Sequence, residues 1–401
     1  MNGHHAPGKN GASKPRTLRY AHITGWGMDV PDHIMPNDDF QPLVNVGHDW
    51  IYPRTGIKER RIAAPGETTT QLAIRAAQKA LSVADVVPSD IDLIVVATST
   101  PEYIFPSTAS IVQDMLGATN AGAHDLAAAC SGFVYALDLA ANKVRTGSIN
   151  TALVIGAETM SRVLDWKDRK TCVLFGDGAG AVVLQGSDIP GGILSSTLGS
   201  DGSGWDLLTL PTVSSQETYL RDGQRQMHRI YMDGRNVFQF ATQALPTGIK
   251  AALREAGLSL EDLDLIIPHQ ANQRILDAAA EAMGFPIEKM YTNLDRYGNT
   301  SAASIPIALT EAAETGRLKP GNLVGLVGFG GGLSWGAAIL EWSANGRHSF
   351  YSLKRGLRET QYVQASLRRH MVRYMRQSNT SPKALLRRYR RRQTAGAKAS
   401  G

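Results

Sequence analysis

The sequence predicts an α/β fold built from two similar halves, each a set of buried strands joined by helices. Three apolar runs, 93–97, 152–155 and 323–327, lack the alternation of a half-exposed strand, as is typical of sheets covered on both faces. Two pairs of segments repeat in the same order along the chain. They are Ser89-Asp-Ile-Asp-Leu-Ile-Val95 with Glu261-Asp-Leu-Asp-Leu-Ile-Ile267, and Gly180-Ala-Val-Val-Leu184 with Gly336-Ala-Ala-Ile-Leu340. This duplication predicts halves of roughly 18–190 and 191–345, packed as layers of helices and sheets, with a site where they meet.

The charge of the chain is concentrated at one end. Residues 346–401 hold 15 Lys and Arg residues and one Glu, a net charge of +14, while the remainder carries −8. Residues 1–17 are rich in Gly, Lys, Asn and His and are predicted to be disordered. No run has the length of a membrane span and the N-terminus lacks the apolar core of a signal peptide, which predicts a cytoplasmic protein.

Cys130 lies where an apolar stretch ends in small residues and a helical pattern begins. At a helix N-terminus, unpaired N–H groups and the helix dipole favour the thiolate, which is the reactive form of cysteine. The alternative is a small buried apolar residue, the usual role of a lone cysteine in an Ala-rich run. The other cysteine, Cys172, has strand-like neighbours and is predicted to be a core residue.

Two later segments and a glycine-rich loop can complete a site around this cysteine. His269 follows an apolar strand and Pro268, a position where α/β proteins place reactive groups. Asn299 lies in a Gly-Asn-Thr-Ser turn before an Ala-rich helix. The loop 328–332 either brings backbone N–H groups to a ligand or forms a tight turn. Taken alone, His269 is explained by a loop hydrogen bond and Asn299 by a turn or helix cap.

Together these residues fit one class of reaction, an acyl transfer followed by a decarboxylating condensation of thioesters. A cysteine thiolate attacks an acyl thioester while backbone N–H groups stabilise the tetrahedral oxyanion. A malonyl-type thioester then loses CO2, and its enolate oxygen needs neutral hydrogen-bond donors. A histidine Nε2–H and an asparagine amide supply them without a formal charge that would trap the intermediate.

Six segments occur in an order that resembles one known family. They are Trp50–Arg60, Asp125–Phe133, Phe175–Gly180, Pro268–Arg274, Gly298–Pro306 and Phe329–Gly332. From about Tyr20 to Trp342 the chain resembles the β-ketoacyl-acyl-carrier-protein synthase III family of the thiolase superfamily. The resemblance implies the thiolase-like fold, with duplicated βαβαβ halves in five α-β-α-β-α layers, usually as a homodimer.

The resemblance also implies a role for each residue of the site. Cys130 would accept the acyl group, and His269 and Asn299 would assist decarboxylation and hold the enolate. The N–H groups of Cys130 and Gly331 would form the oxyanion hole. Phe329 would press toward the malonyl carboxylate and favour its loss as CO2.

Further residues are assigned by the resemblance to the substrates, acyl-CoA and acyl-carrier protein. Phe105 would reach across the dimer and limit the partner's acyl pocket. The residues that bind coenzyme A would be Trp50, Arg54, Arg169 and Asn272. The carrier protein would dock on Gln270, Ala271, Asn272, Gln273 and Arg274. Neither a metal nor a cofactor is implied.

Departures from the family pattern affect the predicted docking surface and the mouth of the pocket. Gln239, and Glu281 with Ala282, stand where the family often has basic residues. The body alone therefore offers less positive charge to an acidic carrier protein. The loop 210–232 is also longer than usual, so a chain-length preference does not carry over.

Members of the family normally end near Trp342, whereas this chain continues into a basic extension, 346–401, that is predicted to be partly helical. Val363, Leu367, Met371 and Tyr374 share one helical face, with arginines largely elsewhere. The extension is either a solvated, disordered segment or a binding module. As a module it would bind an anionic membrane or an acidic carrier protein, in preference to nucleic acid, because its apolar faces are large.

The sequence therefore predicts a decarboxylating Claisen condensation that initiates type II fatty acid synthesis. An acyl-CoA loads Cys130, and malonyl-acyl-carrier protein then yields 3-ketoacyl-acyl-carrier protein and CO2. The alternative with the same site is a starter-unit or head-to-head condensing enzyme of a polyketide or specialised lipid pathway. An alternative of another class, an inactive scaffold that binds through its basic tail, is disfavoured by the intact Cys, His and Asn.

Overall fold

Two β-sheets, each with helices on both faces, organise the chain. The computed structural model describes residues 19–212, 226–343 and 353–377. The strands in these ranges are β1 (Tyr20–Asp29), β2 (Ile34–Pro36), β3 (Glu59–Arg61), β4 (Leu93–Ala97), β5 (Gly122–Leu126), β6 (Thr151–Thr159), β7 (Asp177–Ser187), β8 (Gly192–Ser200), β9 (Leu208–Thr209), β10 (Tyr231–Met232), β11 (Leu265–Pro268), β12 (Leu323–Gly330) and β13 (Ser334–Glu341). The α-helices are α1 (Gln41–Val44), α2 (His48–Thr55), α3 (Thr69–Ala84), α4 (Thr108–Leu116), α5 (Gly132–Arg145), α6 (Gly234–Ala256), α7 (Gln273–Met283), α8 (Leu294–Tyr297), α9 (Ser304–Glu314) and α10 (Leu353–Gln377).

The two large sheets repeat one pattern of strand pairing. The first has the strand order β1-β7-β6-β4-β5 and the second has β8-β13-β12-β11. In the first sheet β1 pairs with β7 and β7 with β6 in antiparallel fashion, and β6 then pairs with β4 in parallel. In the second sheet β8 pairs with β13 and β13 with β12 in antiparallel fashion, and β12 then pairs with β11 in parallel. Strands β1, β7, β6 and β4 therefore correspond to β8, β13, β12 and β11. In the first sheet β5 extends the pattern by pairing with β4, and in the second sheet a single parallel bridge between Ile266 of β11 and Met290 occupies the equivalent position. The predicted duplication of the fold is therefore confirmed.

Helices α5 and α9 lie between the two sheets and complete five layers. Phe133 and Leu137 of α5 and Ile305 of α9 share one apolar core with strands of both sheets. Successive side chains of a strand point to opposite faces, and β4 follows this rule. Val95 faces the central helices, whereas Ile94 and Val96 face α3 and α4 on the outside. This two-sided burial explains why the strands read as continuous apolar runs.

The outer helices pack closely because small residues line their contacts. Ala76 and Ala80 place α3 against β1, where a Cβ atom on Gly25 would lie 2.2 Å from the carbonyl oxygen of Ala80. Thr68 and Gln71 form a capping box that starts α3. The equivalent layer over the second sheet consists of α6 and α7. These two outer layers fix the ends of the strands that carry the site.

The basic extension contributes one described element, α10, which packs on α4. The predicted disorder of residues 1–17, the segment after residue 377 and most of the loop 210–232 lie outside the described residues. Of the described helices, none combines the length and apolarity needed to cross a bilayer.

Candidate functional site

A cavity of about 360 Å³ opens beside α2, α6 and α7 and reaches the buried ends of β11 and β12. Its buried polar lining includes Cys130, His269, Asn299 and Ser301, each at most 7% exposed. Its exposed lining includes Arg54, Arg169 and Lys170. The cavity thus joins a buried reactive end to a positively charged mouth, and it brings together side chains from three separate loops.

Cys130 sits in a tight turn between β5 and α5. Ala129 adopts a left-handed φ of 45°, and the 3-10 turn Ala129–Ser131 leads directly into α5. The Ser131 hydroxyl donates to the Ala128 carbonyl oxygen at 2.7 Å and lies 2.8 Å from the Ser334 hydroxyl, which ties the turn to β13. Cys130 therefore lies two residues before the first residue of α5, beside a helix N-terminus as the sequence predicts.

Burial controls the protonation of this thiol. Burial raises the pKa of Cys130 to about 12, although the neighbouring Ser301 hydroxyl and the backbone N–H of Cys130 act to lower it. The resting form is therefore the thiol, and the thiolate expected from the helix terminus alone is not the resting species. The proton has to leave as the acyl substrate enters.

The glycine-rich end of β12 lies against the backbone of Cys130. A Cβ atom on Gly330 would lie 2.6 Å from the Cys130 nitrogen, and one on Gly331 would lie 2.9 Å from the Leu208 carbonyl oxygen. Both glycines line the cavity with Cys130. Only residues without side chains allow this close approach of the two chain segments.

His269 is buried in an apolar setting at the end of β11. Its backbone N–H donates to the Val327 carbonyl oxygen at 2.8 Å, and its ring packs edge-on against Phe329 with centroids 5.3 Å apart. Burial lowers the pKa of His269 to about 3, so the imidazole is neutral near pH 7. Its Nδ1 has no hydrogen-bond partner among the described residues.

The side-chain amide of Asn299 is oriented by its own loop. Its Oδ1 accepts a hydrogen bond from the Ser301 backbone N–H at 2.8 Å, which leaves the NH2 group as the donor that can serve a ligand. Its backbone is held by the segment 174–176, with Asn299 N to Leu174 O at 2.8 Å and Gly176 N to Asn299 O at 3.0 Å. The site therefore contains two neutral donors, one imidazole and one amide.

Glu158 is a buried carboxylate that sequence reasoning missed. It accepts hydrogen bonds from the hydroxyl groups of Thr100 at 2.6 Å and Ser301 at 2.9 Å, and from the Ser99 backbone N–H at 3.1 Å. Burial raises the pKa of Glu158. Because Ser301 contacts both Glu158 and Cys130, the carboxylate holds the Asn299 loop beside the nucleophile. The signal in the sequence was an acid at the end of the apolar strand β6.

The mouth of the cavity is built around one tryptophan. The guanidinium carbons of Arg54 and Arg169 lie 4.7 and 5.6 Å from the centre of the Trp50 ring. Asn272 caps α7 by accepting from the Arg274 backbone N–H at 2.9 Å, and its amide donates to the Arg54 carbonyl oxygen at 3.0 Å. These residues form an aromatic and cationic surface of the kind that binds a nucleotide and its phosphates.

The chain is similar along most of its length to condensing enzymes of known type. Residues 253–342 match the family "3-Oxoacyl-[acyl-carrier-protein (ACP)] synthase III C terminal", and residues 124–202 match "3-Oxoacyl-[acyl-carrier-protein (ACP)] synthase III". β-Ketoacyl-[acyl-carrier-protein] synthase III of Desulfitobacterium hafniense is 49% identical over 325 residues, which are 81% of this chain and 98% of that protein. The chain belongs to the β-ketoacyl-[acyl-carrier-protein] synthase III family.

Solved structures of similar proteins agree with the fold. The enzyme from Aquifex aeolicus VF5 superposes with a TM-score of 0.75 at 44% identity, covering 80% of this chain and all of that one. The priming β-ketosynthase of the R1128 polyketide pathway superposes with a TM-score of 0.78 at 37% identity, covering 83% of this chain and 99% of that one. The predicted family and thiolase-like fold are confirmed. The extension that carries α10 lies beyond the residues matched to the family.

Two of the residues predicted to dock a carrier protein are not available to one. Gln270 is 1% exposed and Ala271 is 8% exposed. The Gln270 amide donates to the Pro268 carbonyl oxygen at 2.8 Å and accepts from the Asn293 backbone N–H at 3.1 Å, so it holds the loop that carries His269. Of the other three predicted residues, Asn272 and Gln273 are partly exposed and Arg274 is exposed. Gln239 and Glu281 are exposed on the neighbouring helices α6 and α7.

Phe105 does not line the cavity of its own chain. It is 85% exposed, next to Ile104 at 68% and Tyr103 at 59%, on the connection between β4 and α4. Among the described residues, no group of three His, Cys, Asp or Glu side chains is arranged to hold a metal ion.

Proposed function

We propose that this synthase III family member joins an acyl-CoA starter to malonyl-acyl-carrier protein through an acyl-Cys130 intermediate and so initiates fatty acid synthesis. The observation that carries the proposal is one cavity in which Cys130, His269 and Asn299 converge and whose mouth is formed by Trp50 and Arg54. In the first step the Cys130 sulfur attacks the acyl carbonyl carbon. The tetrahedral oxyanion accepts hydrogen bonds from the N–H groups of Cys130 and Gly331. The bond to the CoA sulfur breaks, and CoA leaves carrying the proton that the thiol gives up.

In the second step the malonyl thioester loses its carboxylate as CO2. The electron pair of that carbon–carbon bond forms an enolate, whose oxygen accepts hydrogen bonds from the His269 Nε2–H and the Asn299 amide. Phe329 is 3% exposed and presents an apolar ring, which disfavours the carboxylate relative to neutral CO2. The enolate carbon then attacks the acyl carbonyl on Cys130, and the cysteine leaves and is reprotonated.

Residues at the mouth suit the two carriers of the acyl groups. We assign Trp50, Arg54 and Arg169 to the adenine and phosphates of coenzyme A. The side-chain amide of Asn272 already donates to the Arg54 carbonyl oxygen and accepts from the Arg274 backbone N–H, which holds this surface in place. A hydrogen bond from Asn272 to the pantetheine arm would therefore be additional to these two. Arg274 receives the acidic carrier protein. The enzyme acts in the cytoplasm, as a homodimer in which Phe105 of one subunit closes the acyl pocket of the other.

The proposal is tested by intact-protein mass spectrometry after incubation with acyl-CoAs of increasing length, followed by addition of malonyl-acyl-carrier protein. We expect a short-chain adduct that disappears as 3-ketoacyl-carrier protein forms. Cys130→Ala should form no adduct. His269→Ala and Asn299→Ala should still load but should condense about 100- to 1000-fold more slowly, because each removes a donor to the enolate.

His33→Ala, which changes an exposed histidine, is the matched control and should leave both steps intact. An adduct on the Cys130→Ala protein would refute the nucleophile assignment. An adduct that malonyl-carrier protein does not discharge would refute the condensation and point to acyl transfer to another acceptor.

A further inference from the structure

The helix α10 is fastened to the body by contacts along one face. Arg358 is 4% exposed and pairs with Asp85 at 2.7 Å, and the Gln361 amide donates to the Ser89 hydroxyl at 2.9 Å. Ala365 is 5% exposed and packs on Gly117, where a Cβ atom would lie 3.1 Å away. Burial raises the pKa of Tyr362 to about 12. This face is therefore an ordered contact with the ends of α3 and α4.

The opposite face of α10 presents a row of large apolar side chains to solvent, the apolar stripe. The stripe consists of Val363 (58% exposed), Leu367 (64%), Met371 (58%) and Tyr374 (63%). Their spacing of three or four residues puts them on one line along the helix. A helix that needed only to pack on the body would expose polar residues here. All four side chains belong to a single helix.

The helix that carries the stripe and the segment that follows it in the sequence are rich in positive charge. Residues 353–377 hold seven Lys and Arg residues and one Glu, and residues 378–401 hold seven more and no Asp or Glu. By helical periodicity, Arg355 and Arg373 lie along one side of the stripe and Arg368 along the other. An apolar ridge between rows of cations is the pattern of a helix that lies in the interface of an anionic bilayer.

We propose that the apolar stripe of α10 docks on an anionic lipid bilayer and holds the catalytic body at its surface. A second copy of this chain is the weaker occupant, because a symmetric contact through the stripe would bring two sets of like charges together. An acidic carrier protein is also weaker, because its carboxylates would satisfy the cations but offer no apolar layer for the exposed side chains of the stripe to enter. The residues that line the cavity include none from α10, which packs on α4.

Vesicle flotation with the full chain tests the proposal. Vesicles of phosphatidylcholine and phosphatidylglycerol in equal parts should carry the protein, whereas phosphatidylcholine alone should not, and added salt should weaken the binding. The double change Leu367→Gln and Met371→Gln should reduce binding about tenfold or more, because two side chains no longer enter the apolar layer. Both positions are exposed, so acyl loading of Cys130 should be unchanged.

Ile189→Gln is the matched control, since Ile189 is 70% exposed and lies between β7 and β8, outside the apolar stripe. It should bind vesicles as the original chain does. Equal flotation of the double variant, or equal binding to both kinds of vesicle, would overturn the proposal. A double variant that changes the sedimentation coefficient would assign the stripe to a second copy. One that instead raises the KM for malonyl-carrier protein would assign it to the carrier.

Discussion

Burial acts in opposite directions on the two titratable groups of the catalytic trio. It raises the pKa of Cys130 to about 12 and lowers that of His269 to about 3, so both are neutral near pH 7. A thiolate–imidazolium pair, as cysteine proteases use, is therefore not the resting state. A neutral imidazole donates a hydrogen bond without adding charge. This suits a step in which negative charge forms on an oxygen and then has to leave it.

The lowered pKa of His269 predicts how decarboxylation depends on pH. A group with a lowered pKa stays neutral as the pH falls, and His269 should charge only near pH 3 rather than near its ordinary value of 6.5. Malonyl decarboxylation by the Cys130→Ala protein should therefore show no inflection from about pH 8 to about pH 5. The measurement is CO2 release across this range. An inflection near 6.5 that vanishes in His269→Gln would show that the imidazole titrates normally.

Residue types were easier to predict from the sequence than residue environments. The three members of the site stand out as Cys, His and Asn after predicted strands or turns. The network around Glu158 does not, because Ser301 and Thr100 come from distant segments that only the fold brings together. Gln270 was misjudged for the same reason. The family resemblance implies a docking role for Gln270, yet its amide is satisfied by residues 268, 291 and 293 inside the loop.

At the scale of elements, the site depends on how closely β12 approaches the turn before α5. The strand and the helix were both predictable from apolar runs and periodicity. Their separation was not, since it depends on Gly328 and Gly330, whose added Cβ atoms would lie 3.4 Å from Cys130 O and 2.6 Å from Cys130 N. The glycine-rich loop was interpreted as either an oxyanion site or a tight turn, and only the contact with Cys130 distinguishes the two.

Gly330→Ala should therefore damage the site through the backbone. The new methyl group would lie 2.6 Å from Cys130 N and 3.1 Å from Ser131 N, so the strand or the turn has to move. We expect a loss of about 1–3 kcal/mol of unfolding free energy and at least about tenfold slower acyl loading. Denaturant unfolding and the rate of adduct formation measure the two effects. Gly202→Ala has nothing within 4 Å of the new atom and should alter neither.

The halves of the molecule are alike in their sheets but not in their outer edges. Strand β5 pairs only with β4, so among the described residues its other edge is unpaired. Beside it, Tyr103, Ile104 and Phe105 form a run of exposed large apolar side chains. An unpaired strand edge next to an apolar surface is a site where subunits can associate. A two-fold symmetric contact would bury the strand edge and the apolar surface of each subunit against those of the other. The dimer implied by the family resemblance is therefore placed, as a proposal, at this edge.

Ile104→Asp should separate the subunits. A two-fold axis makes each substitution count twice, so burying two carboxylates against an apolar surface should raise the dimer Kd about 100-fold or more. Sedimentation velocity across a range of concentrations measures this, and Ile189→Asp, at another exposed isoleucine, is the control.

A mixed dimer tests whether Phe105 of one subunit closes the acyl pocket of the other. Pairing a Phe105→Ala subunit with a Cys130→Ala subunit should leave the chain-length preference of the remaining Cys130 unchanged, because its pocket still receives the other subunit's Phe105. Broadened preference in that mixed dimer would mean that Phe105 acts within its own chain.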